Sequence, residues 1–392
     1  MQPAIRPLTA LLLLWLGGIA LRLTILAVPP VIPLIHADLA LSKTQIGILT
    51  GLPMVLFAGA AIAGSLMIAR LGTVTAAIVG LSLCAVGSAL RGVGPHVAML
   101  YFGTVVTAFG VAVTQPAMPP LVRAWVPQRI GFATAVYTNG LLIGEILPAS
   151  LTIPLLLPAI NNSWQWEFAF WGTPVALIAL TLFAFAPRTT APTSAAATAG
   201  RRWMPDFRNP LIWKIGLLFG SVNASYFSMN GFLPDYLTHT GRPDLIHAAL
   251  TALNLGQLPA SFLLLMSADR MVRTVWSYLS FGVICLICIL AMVLLGGEWI
   301  VAGAAVWGCF GAGVFVLALA LPPLISAPED VARVSAGMFT ISYSCAVIVP
   351  IVAGVLWDLT GWVRAPFIPI TGCMILLLAL APAVVLRDKK AE

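Results

Sequence analysis

Two ionisable side chains lie within long apolar runs of the sequence. Arg22 is near the middle of Leu8–Ile35, and Glu145 is near the middle of 130–156. A charged side chain near the centre of an apolar span costs about 3 kcal/mol or more, so Arg22 is expected to face protein or water rather than lipid. We interpret Arg22 as a positive site for a small solute. The alternative is a purely structural ion pair with an acid on another helix.

Glu145 has two compatible interpretations. Burial penalises the ionised form of a carboxyl group, and acids inside a membrane commonly mark proton paths. Glu145 is therefore a candidate proton carrier. It is equally a candidate partner for Arg22, because one buried pair compensates two costly charges. A pair that a solute and a proton break and remake would couple their movements.

Polar side chains at helical spacing mark further apolar runs. Asn223, Tyr226 and Asn230 fall on one helical face because they are three and seven positions apart. Such a polar stripe in a membrane helix is expected to line a cavity or to bond another helix. The other candidates for lining a solute site are Asn254, Gln257, Tyr137, Asn139 and Tyr343.

The composition is that of an integral membrane protein. Of 392 residues, 60% are apolar and 8% are charged, whereas soluble domains carry roughly 25% charge. The net charge of +7 does not indicate nucleic-acid binding, because the basic residues are scattered singly between apolar runs. The six cysteines lie within apolar runs, where cysteine usually acts as a small hydrophobe. No metal-ligand spacing, phosphate-binding loop or nucleophile–base pair indicates a cofactor or an enzyme.

Apolar runs recur along the chain with short breaks, and they predict an all-α fold of twelve transmembrane helices. Their approximate positions are 8–35, 45–68, 73–91, 96–118, 130–156, 167–186, 211–237, 246–267, 274–295, 299–321, 334–356 and 365–386.

The basic residues predict the orientation of these spans. With the N-terminus inside, 15 of the 20 Lys and Arg residues fall in cytoplasmic segments and Arg22 lies within a span. This bias predicts cytoplasmic N- and C-termini. The expected location is a bacterial inner membrane. The four assigned to external loops are Lys43, Arg91, Arg242 and Arg364.

Two halves are predicted. Residues 188–209 are Ala/Thr/Pro-rich and then basic, and we interpret them as a cytoplasmic linker between six-helix bundles at 1–187 and 210–392. The halves also share a pattern, since Pro119-Pro120-Leu121 recurs as Pro322-Pro323-Leu324. Parallel pseudo-symmetric repeats with a site near the bilayer midplane describe one transporter architecture.

Several segments resemble the major facilitator superfamily and, within it, the family of cyanate and 2-nitroimidazole transporters. They are Leu21-Arg22 with the following Pro-rich end, Pro119–Leu141, Asn209–Leu237, Leu258–Arg270 and Val355–Phe367. The resemblance covers most of the chain, and none of these segments is specific for a substrate. It implies rocker-switch alternating access with a cavity lined by spans 1, 4, 7 and 10. An Arg in span 1 recurs in this family, and Arg22 is the matching position.

The resemblance also implies gating residues. The superfamily usually carries G-x-x-x-D-R-x-G between spans 2 and 3. Here Gly64–Gly72 keeps Arg70 but places Ala69 where the acid belongs. The acidic version survives only at Asp269-Arg270, so the implied gate comprises Arg70, Asp269 and Arg270 and is incomplete in the N-terminal half.

Glycines four residues apart predict close helix packing. Gly140 and Gly144 form one such pair, and Gly47 and Gly51 form another. Small residues at this spacing let the backbones of membrane helices approach each other.

Three kinds of function fit these features. The first is a monomeric, proton-coupled secondary transporter in which Arg22 attracts a small anionic or electron-rich solute. Candidate solutes are a cyanate-like ion, a small organic anion and a nitro-heterocycle. The second is a proton-coupled exporter of hydrophobic drugs that depends on Glu145, and the third is a passive channel. Saturation and the charge of the solute distinguish them.

Overall fold

The computed structural model describes residues 6–41, 43–94, 96–187 and 203–385. These residues fold into α-helices joined by short turns. In chain order the helices are α1 (Pro7–Leu26), α2 (Val28–Leu39), α3 (Lys43–Leu71), α4 (Thr73–Arg91), α5 (Val97–Trp125), α6 (Ile130–Leu151), α7 (Leu157–Ala159), α8 (Trp164–Phe185), α9 (Pro210–His239), α10 (Ile246–Leu255), α11 (Gln257–Met271), α12 (Val275–Leu295), α13 (Glu298–Leu319), α14 (Leu321–Ile325), α15 (Val331–Thr360) and α16 (Phe367–Val385).

Most of the predicted spans are long and apolar enough to cross a membrane. Among the described residues, 11 helical segments meet that description. The seventh predicted run folds as α9, a helix of 30 residues. At 1.5 Å per residue it is about 45 Å long, which exceeds a hydrocarbon core of roughly 30 Å. It is more polar than the other spans because it carries Lys214 and the Asn223–Asn230 stripe.

Several predicted spans are interrupted helices. The first breaks at Ala27, between α1 and α2, just before Pro29 and Pro30. Proline has no N–H, so the carbonyls of Ile25 and Leu26 lose their helical donors. The eighth breaks at Gly256, and the tenth breaks at Ala320, just before Pro322 and Pro323. After α6, a π-helical turn at Thr152–Leu156 leads into α7.

The described chain forms two compact units. One contains Met1–Gln128, Val136–Pro205 and Ser326–Ala336, and the other contains Arg129–Ala135, Asp206–Ile325 and Gly337–Glu392. The predicted linker at 188–209 lies mostly outside the described residues, as do the basic residues after Val385. The predicted domain boundaries therefore stay a prediction.

Glycines bring α4 and α5 into backbone contact in the first unit. A Cβ at Gly80 would come within 3.0 Å of the Gly110 carbonyl, and one at Gly87 would do the same at Gly103. There is thus no room for a side chain at Gly80 or Gly87. Arg91, the last residue of α4, lies at the end of the same interface.

Candidate solute-binding site

Arg22 is buried in α1, one turn before the interruption at Ala27. Only 6% of the residue is exposed to solvent. The prolines that follow remove the helical donors of the Ile25 and Leu26 carbonyls, so the helix becomes irregular close to Arg22. In a transmembrane helix such irregular backbone is tolerated where it packs on protein or lines a cavity.

The structure brings Arg22 and Glu145 together. Nε of Arg22 lies 3.3 Å from Oε1 of Glu145, and their side chains are 7% and 21% exposed. The two predicted charges of the first unit therefore form one ion pair between α1 and α6. This geometry fits the structural role that was weighed for Glu145, and it leaves the carboxyl group partly accessible for a second role.

Glycines allow α1 and α6 to approach closely enough for this pair. A Cβ at Gly140 would clash with the carbonyl of Trp15, and one at Gly144 would clash with the carbonyl of Ile19. In the same contact, a Cβ at Gly18 of α1 would clash with backbone atoms of α6. The Gly140/Gly144 pair thus packs as predicted, and we call this contact the glycine seam.

The second predicted glycine pair does not show such packing. The position that a Cβ would take at Gly51 has no other atom within 4 Å, and Gly51 is exposed. The prediction is wrong at Gly51 because this face of α3 is not covered by another described helix. The side-chain environment of Gly47 lies outside the described residues.

Asn139 and Tyr137 are held within the first unit. Nε1 of Trp15 donates to Oδ1 of Asn139 at 3.0 Å, which ties α1 to α6 beside the glycine seam. Asn139 is 7% exposed and Tyr137 is fully buried. Both side chains are enclosed in the first unit, and their role in solute binding stays a prediction.

In the second unit, three predicted residues form a hydrogen-bonded cluster. The hydroxyl of Tyr226 donates to Oδ1 of Asn254 at 2.5 Å, and Nδ2 of Asn254 donates to Oδ1 of Asn230 at 3.0 Å. Nδ2 of Asn230 donates to the backbone carbonyl of Tyr226 at 2.9 Å. These side chains join α9 to α10 and are only partly buried. We call them the Tyr226–Asn230–Asn254 triad.

Three further predicted residues lie in this unit. Nδ2 of Asn223 donates to Oγ of Ser342 at 3.1 Å, and Asn223 is 3% exposed. Tyr343 is 1% exposed and stacks on Phe339. Gln257 starts α11 at the break after Gly256, and its side chain forms no hydrogen bond with the described residues.

Of the predicted gating residues, Asp269 makes specific contacts. Its Oδ1 accepts from the backbone N–H of Phe132 at 3.0 Å, and its Oδ2 lies 3.3 Å from Nε of Arg129. A carboxylate at the start of α6 is favourable because the helix N-terminus carries partial positive charge. Arg70 and Arg270 are exposed and form no ion pair with the described residues.

Sequence reasoning missed a second buried pair of charges in the first unit. Arg91 was assigned to an external loop, and Glu167 was not considered, but both residues are 0% exposed. The assignment of Arg91 is wrong because its guanidinium is held inside by Thr104 and by the backbone carbonyl of Thr24. No local pattern distinguishes this arginine from a loop residue, since Gly92 and Gly94 follow it.

Comparison with known proteins agrees with this architecture. The family model described as "Major Facilitator Superfamily" matches residues 14–243, which is more than half of the chain. The chain belongs to the Major Facilitator Superfamily. It is therefore a membrane transporter of that superfamily, as its resemblance implied.

Three transporters are similar to this chain in sequence. The cyanate transport protein CynX of Escherichia coli is 27% identical over 379 residues, covering 95% of this chain and 97% of CynX. The uncharacterized transporter YycB of Bacillus subtilis is 26% identical over 91% of this chain and 88% of its own. The 2-nitroimidazole transporter of E. coli is 26% identical over 56% of this chain and 55% of its own length.

Solved structures share the fold. The outward conformation of the transporter FucP matches with a TM-score of 0.74 at 15% identity, covering 95% of this chain and 98% of FucP. The human organic anion transporter MFSD10 matches with a TM-score of 0.75 at 15% identity, covering 96% and 99% of the two chains. At this identity the likeness shows the fold alone.

Proposed function

We propose that this superfamily member is a secondary active transporter for a small anionic or electron-rich solute, with Arg22 as the group that attracts it. The single observation that carries the proposal is the buried ion pair of Arg22 and Glu145 beside an interrupted helix. The proposed membrane is a bacterial inner membrane, with cytoplasmic N- and C-termini. The similarity to CynX and to the 2-nitroimidazole transporter supports this class of solute.

The chemistry of the pair explains the selection of an anion. A guanidinium offers five N–H donors in a planar fork, and hydrogen bonds between charged groups are the strong ones. An anion or a nitro group that reaches Arg22 competes with Glu145 for these donors. A neutral hydrophobic compound has no comparable group with which to displace a carboxylate.

Coupling to protons follows from the same exchange. When a solute displaces Glu145 from Arg22, the carboxylate is left in an apolar environment, where its charge is costly. Taking up a proton removes that cost, so solute and proton bind together. When the solute leaves, Glu145 loses its proton and returns to Arg22. Alternating access then carries both across the membrane.

The Tyr226–Asn230–Asn254 triad is proposed to orient the solute within the second unit. Binding pockets are mostly apolar with a few precisely placed polar groups that fix orientation. The triad provides partly exposed amide and hydroxyl groups that are already held in position. Gln257 adds a side chain whose polar atoms form no hydrogen bond with the described residues.

Ligand-induced thermal stabilisation of the purified protein tests the proposal. Cyanate, 2-nitroimidazole and small carboxylates are titrated against the wild type, Arg22→Ala and Arg273→Ala, the last being a matched exposed arginine. A ligand that binds only the folded state stabilises it as its concentration rises. We expect stabilisation of the wild type and of Arg273→Ala, and none of Arg22→Ala.

Other outcomes point to the rival functions. An equal response of Arg22→Ala and the wild type would make Arg22 structural and would favour an exporter of hydrophobic compounds centred on Glu145. Uptake into proteoliposomes that does not saturate with solute concentration would favour a channel. Saturating uptake that depends on an inward proton gradient supports the proposal.

A further inference from the structure

Arg91, at the end of α4, contacts three other helices of the first unit. Nε of Arg91 donates to Oγ1 of Thr104 on α5 at 3.1 Å, and Nη1 donates to the Thr24 carbonyl on α1 at 2.6 Å. The guanidinium also lies 5.5 Å from the ring centroid of Phe168 on α8. Arg91 therefore holds the end of α1 two residues after Arg22.

Glu167 lies in the first turn of α8, next to Phe168 in the sequence, and forms no salt bridge with the described residues. Neither of its carboxyl oxygens accepts a hydrogen bond from the described residues, and the residue is 0% exposed. Nη2 of Arg91 is also buried without a hydrogen-bond partner in the described chain. No nitrogen of the Arg91 guanidinium lies within 4.0 Å of a Glu167 carboxyl oxygen, since the two residues form no salt bridge.

Few polar groups surround Glu167. The charged group facing it is Arg91 on α4, and the hydroxyl facing it is Thr152, which accepts from Nε1 of Trp171 at 3.0 Å. The other acid near the start of α8 is Asp38 on α2, which is exposed and accepts from Trp164 and Gln165. Among the described residues, the donor that faces Glu167 is therefore the neutral Thr152 hydroxyl, and the cation that faces it, Arg91, forms no salt bridge with it.

An ionised carboxylate removed from water without a donor is among the most unfavourable groups a protein can bury. Neutralisation by a proton is the ordinary way to relieve that cost. Glu145 differs in this respect, because a guanidinium lies 3.3 Å from its carboxyl group. The geometry therefore separates the two buried glutamates of the first unit into one paired and one unpaired acid.

We propose that Glu167 is a proton-binding site, neutral in this conformation and ionised when Nη2 of Arg91 moves against it. The proton on the carboxyl passes to water when the carboxylate gains Arg91 as its partner. Because Arg91 also bonds the Thr24 carbonyl, this movement pulls on the end of α1 near Arg22. The effect on transport rests on the proposed function, whereas proton binding at Glu167 does not.

Infrared spectroscopy of the full-length purified protein tests the proton directly. A protonated carboxyl group has its own C=O stretching band, which shifts on exchange into D₂O. We expect this band in the wild type and in Glu145→Gln at neutral pH, and its loss or reduction in Glu167→Gln. A band that is unchanged in Glu167→Gln would overturn the proposal.

A second measurement does not require Glu167→Gln to fold. In Glu145→Gln protein labelled with ¹³C-glutamate, Glu167 is the remaining buried glutamate of the described chain, because Glu298 and Glu329 are exposed. We expect a carboxyl band that shifts with the label. The absence of any label-sensitive carboxyl band would contradict a protonated Glu167.

These experiments test proton binding at Glu167 separately from the proposed transport function. Thermal stabilisation by cyanate or 2-nitroimidazole reports solute binding, whereas the infrared band reports the proton on Glu167. Thermal unfolding adds an independent check. Gln resembles neutral Glu, so Glu167→Gln is expected to unfold at the wild-type temperature. A marked decrease would mean that ionised Glu167 compensates Arg91 and would overturn the proposal.

Discussion

Nε of Arg22 lies 3.3 Å from Oε1 of Glu145, and the glycine seam between α1 and α6 makes this distance possible. The two residues are more than 120 positions apart in the sequence. Their pairing depends on close backbone contacts at Gly18, Gly140 and Gly144, positions that leave no room for a side chain. The ion pair and the seam therefore form one structural element, and both can be tested by mutation.

Removing Glu145 and removing Arg22 are expected to lower the stability of the protein by different amounts. Glu145→Gln leaves a buried guanidinium that cannot lose its proton, and we expect a loss of about 3–5 kcal/mol in the free energy of unfolding. Arg22→Met leaves a carboxyl group that can take up a proton, so it should cost less. The measurement is denaturant-induced unfolding in detergent.

The double variant Arg22→Met/Glu145→Gln is the control for this asymmetry. Because no charge remains buried, it should be more stable than Glu145→Gln alone. Equal stability of Glu145→Gln and the wild type would mean that the pair contributes little. In that case Glu145 would be better described as a proton carrier than as a partner of Arg22.

The glycine seam should not tolerate a methyl group. Gly144→Ala places a Cβ against the Ile19 carbonyl and is expected to cost about 1–3 kcal/mol, as overpacking of well-packed interiors does. Gly51→Ala is the matched control, because its Cβ would meet no atom within 4 Å. Alanine stabilises a helix by about 1 kcal/mol relative to glycine, so Gly51→Ala should be as stable as the wild type or more stable.

The measurement is denaturant-induced unfolding of Gly144→Ala and Gly51→Ala under identical conditions. A similar loss of stability in both would show that helix packing is not the cause. Ligand stabilisation offers a further comparison, since Gly144→Ala should also weaken the response to an anion by displacing Arg22 relative to Glu145. Gly51→Ala should retain that response in full.

The Tyr226–Asn230–Asn254 triad should affect solute binding. Tyr226→Phe removes the hydroxyl that bonds Asn254 at 2.5 Å. A net hydrogen bond is worth about 1 kcal/mol, so we expect roughly a fivefold weaker apparent affinity in thermal titrations. Asn223→Ala is the control, because Asn223 bonds Ser342 away from the triad. Weaker binding in Asn223→Ala with an unchanged Tyr226→Phe would contradict this assignment.

Asp269 should protect the start of α6 from hydrogen exchange. Asp269→Ala removes the acceptor of the Phe132 N–H and the partner of Arg129. Each 1.4 kcal/mol of lost stability corresponds to about tenfold in the opening equilibrium, so exchange in 129–135 should rise several-fold. Arg270→Ala alters the adjacent exposed charge and should leave exchange in this segment unchanged. Equal effects of both variants would contradict the specific role of Asp269.

The helical segments and the two central charges could be predicted from the sequence because both signals are local. Long apolar runs mark the spans, and a lone Arg or Glu within such a run is costly enough to require a partner. The identity of the partner could not be derived in the same way. Whether Glu145 pairs with Arg22 depends on how α1 packs on α6, which is a contact between distant parts of the chain.

For the polar stripe of α9, helical periodicity predicted the shared face but not the partners of each side chain. Asn223 and Asn230 share a helical face, as predicted, but they lie about 10 Å apart along the axis. Asn223 bonds Ser342 on α15, whereas Asn230 bonds Asn254 on α10. Arg91 was misplaced for a related reason, because only the distant Thr24 and Thr104 explain its burial.

The glycine seam has an evolutionary consequence. Positions 18, 140 and 144 accept no side chain, so selection on the scaffold leaves them almost no freedom. Arg22 and Glu145 are less restricted, because two side chains that compensate each other can be exchanged together. Descendants of such a protein could therefore acquire a preference for cationic or neutral cargo through paired substitutions at 22 and 145, while the helices that hold those positions stay as they are.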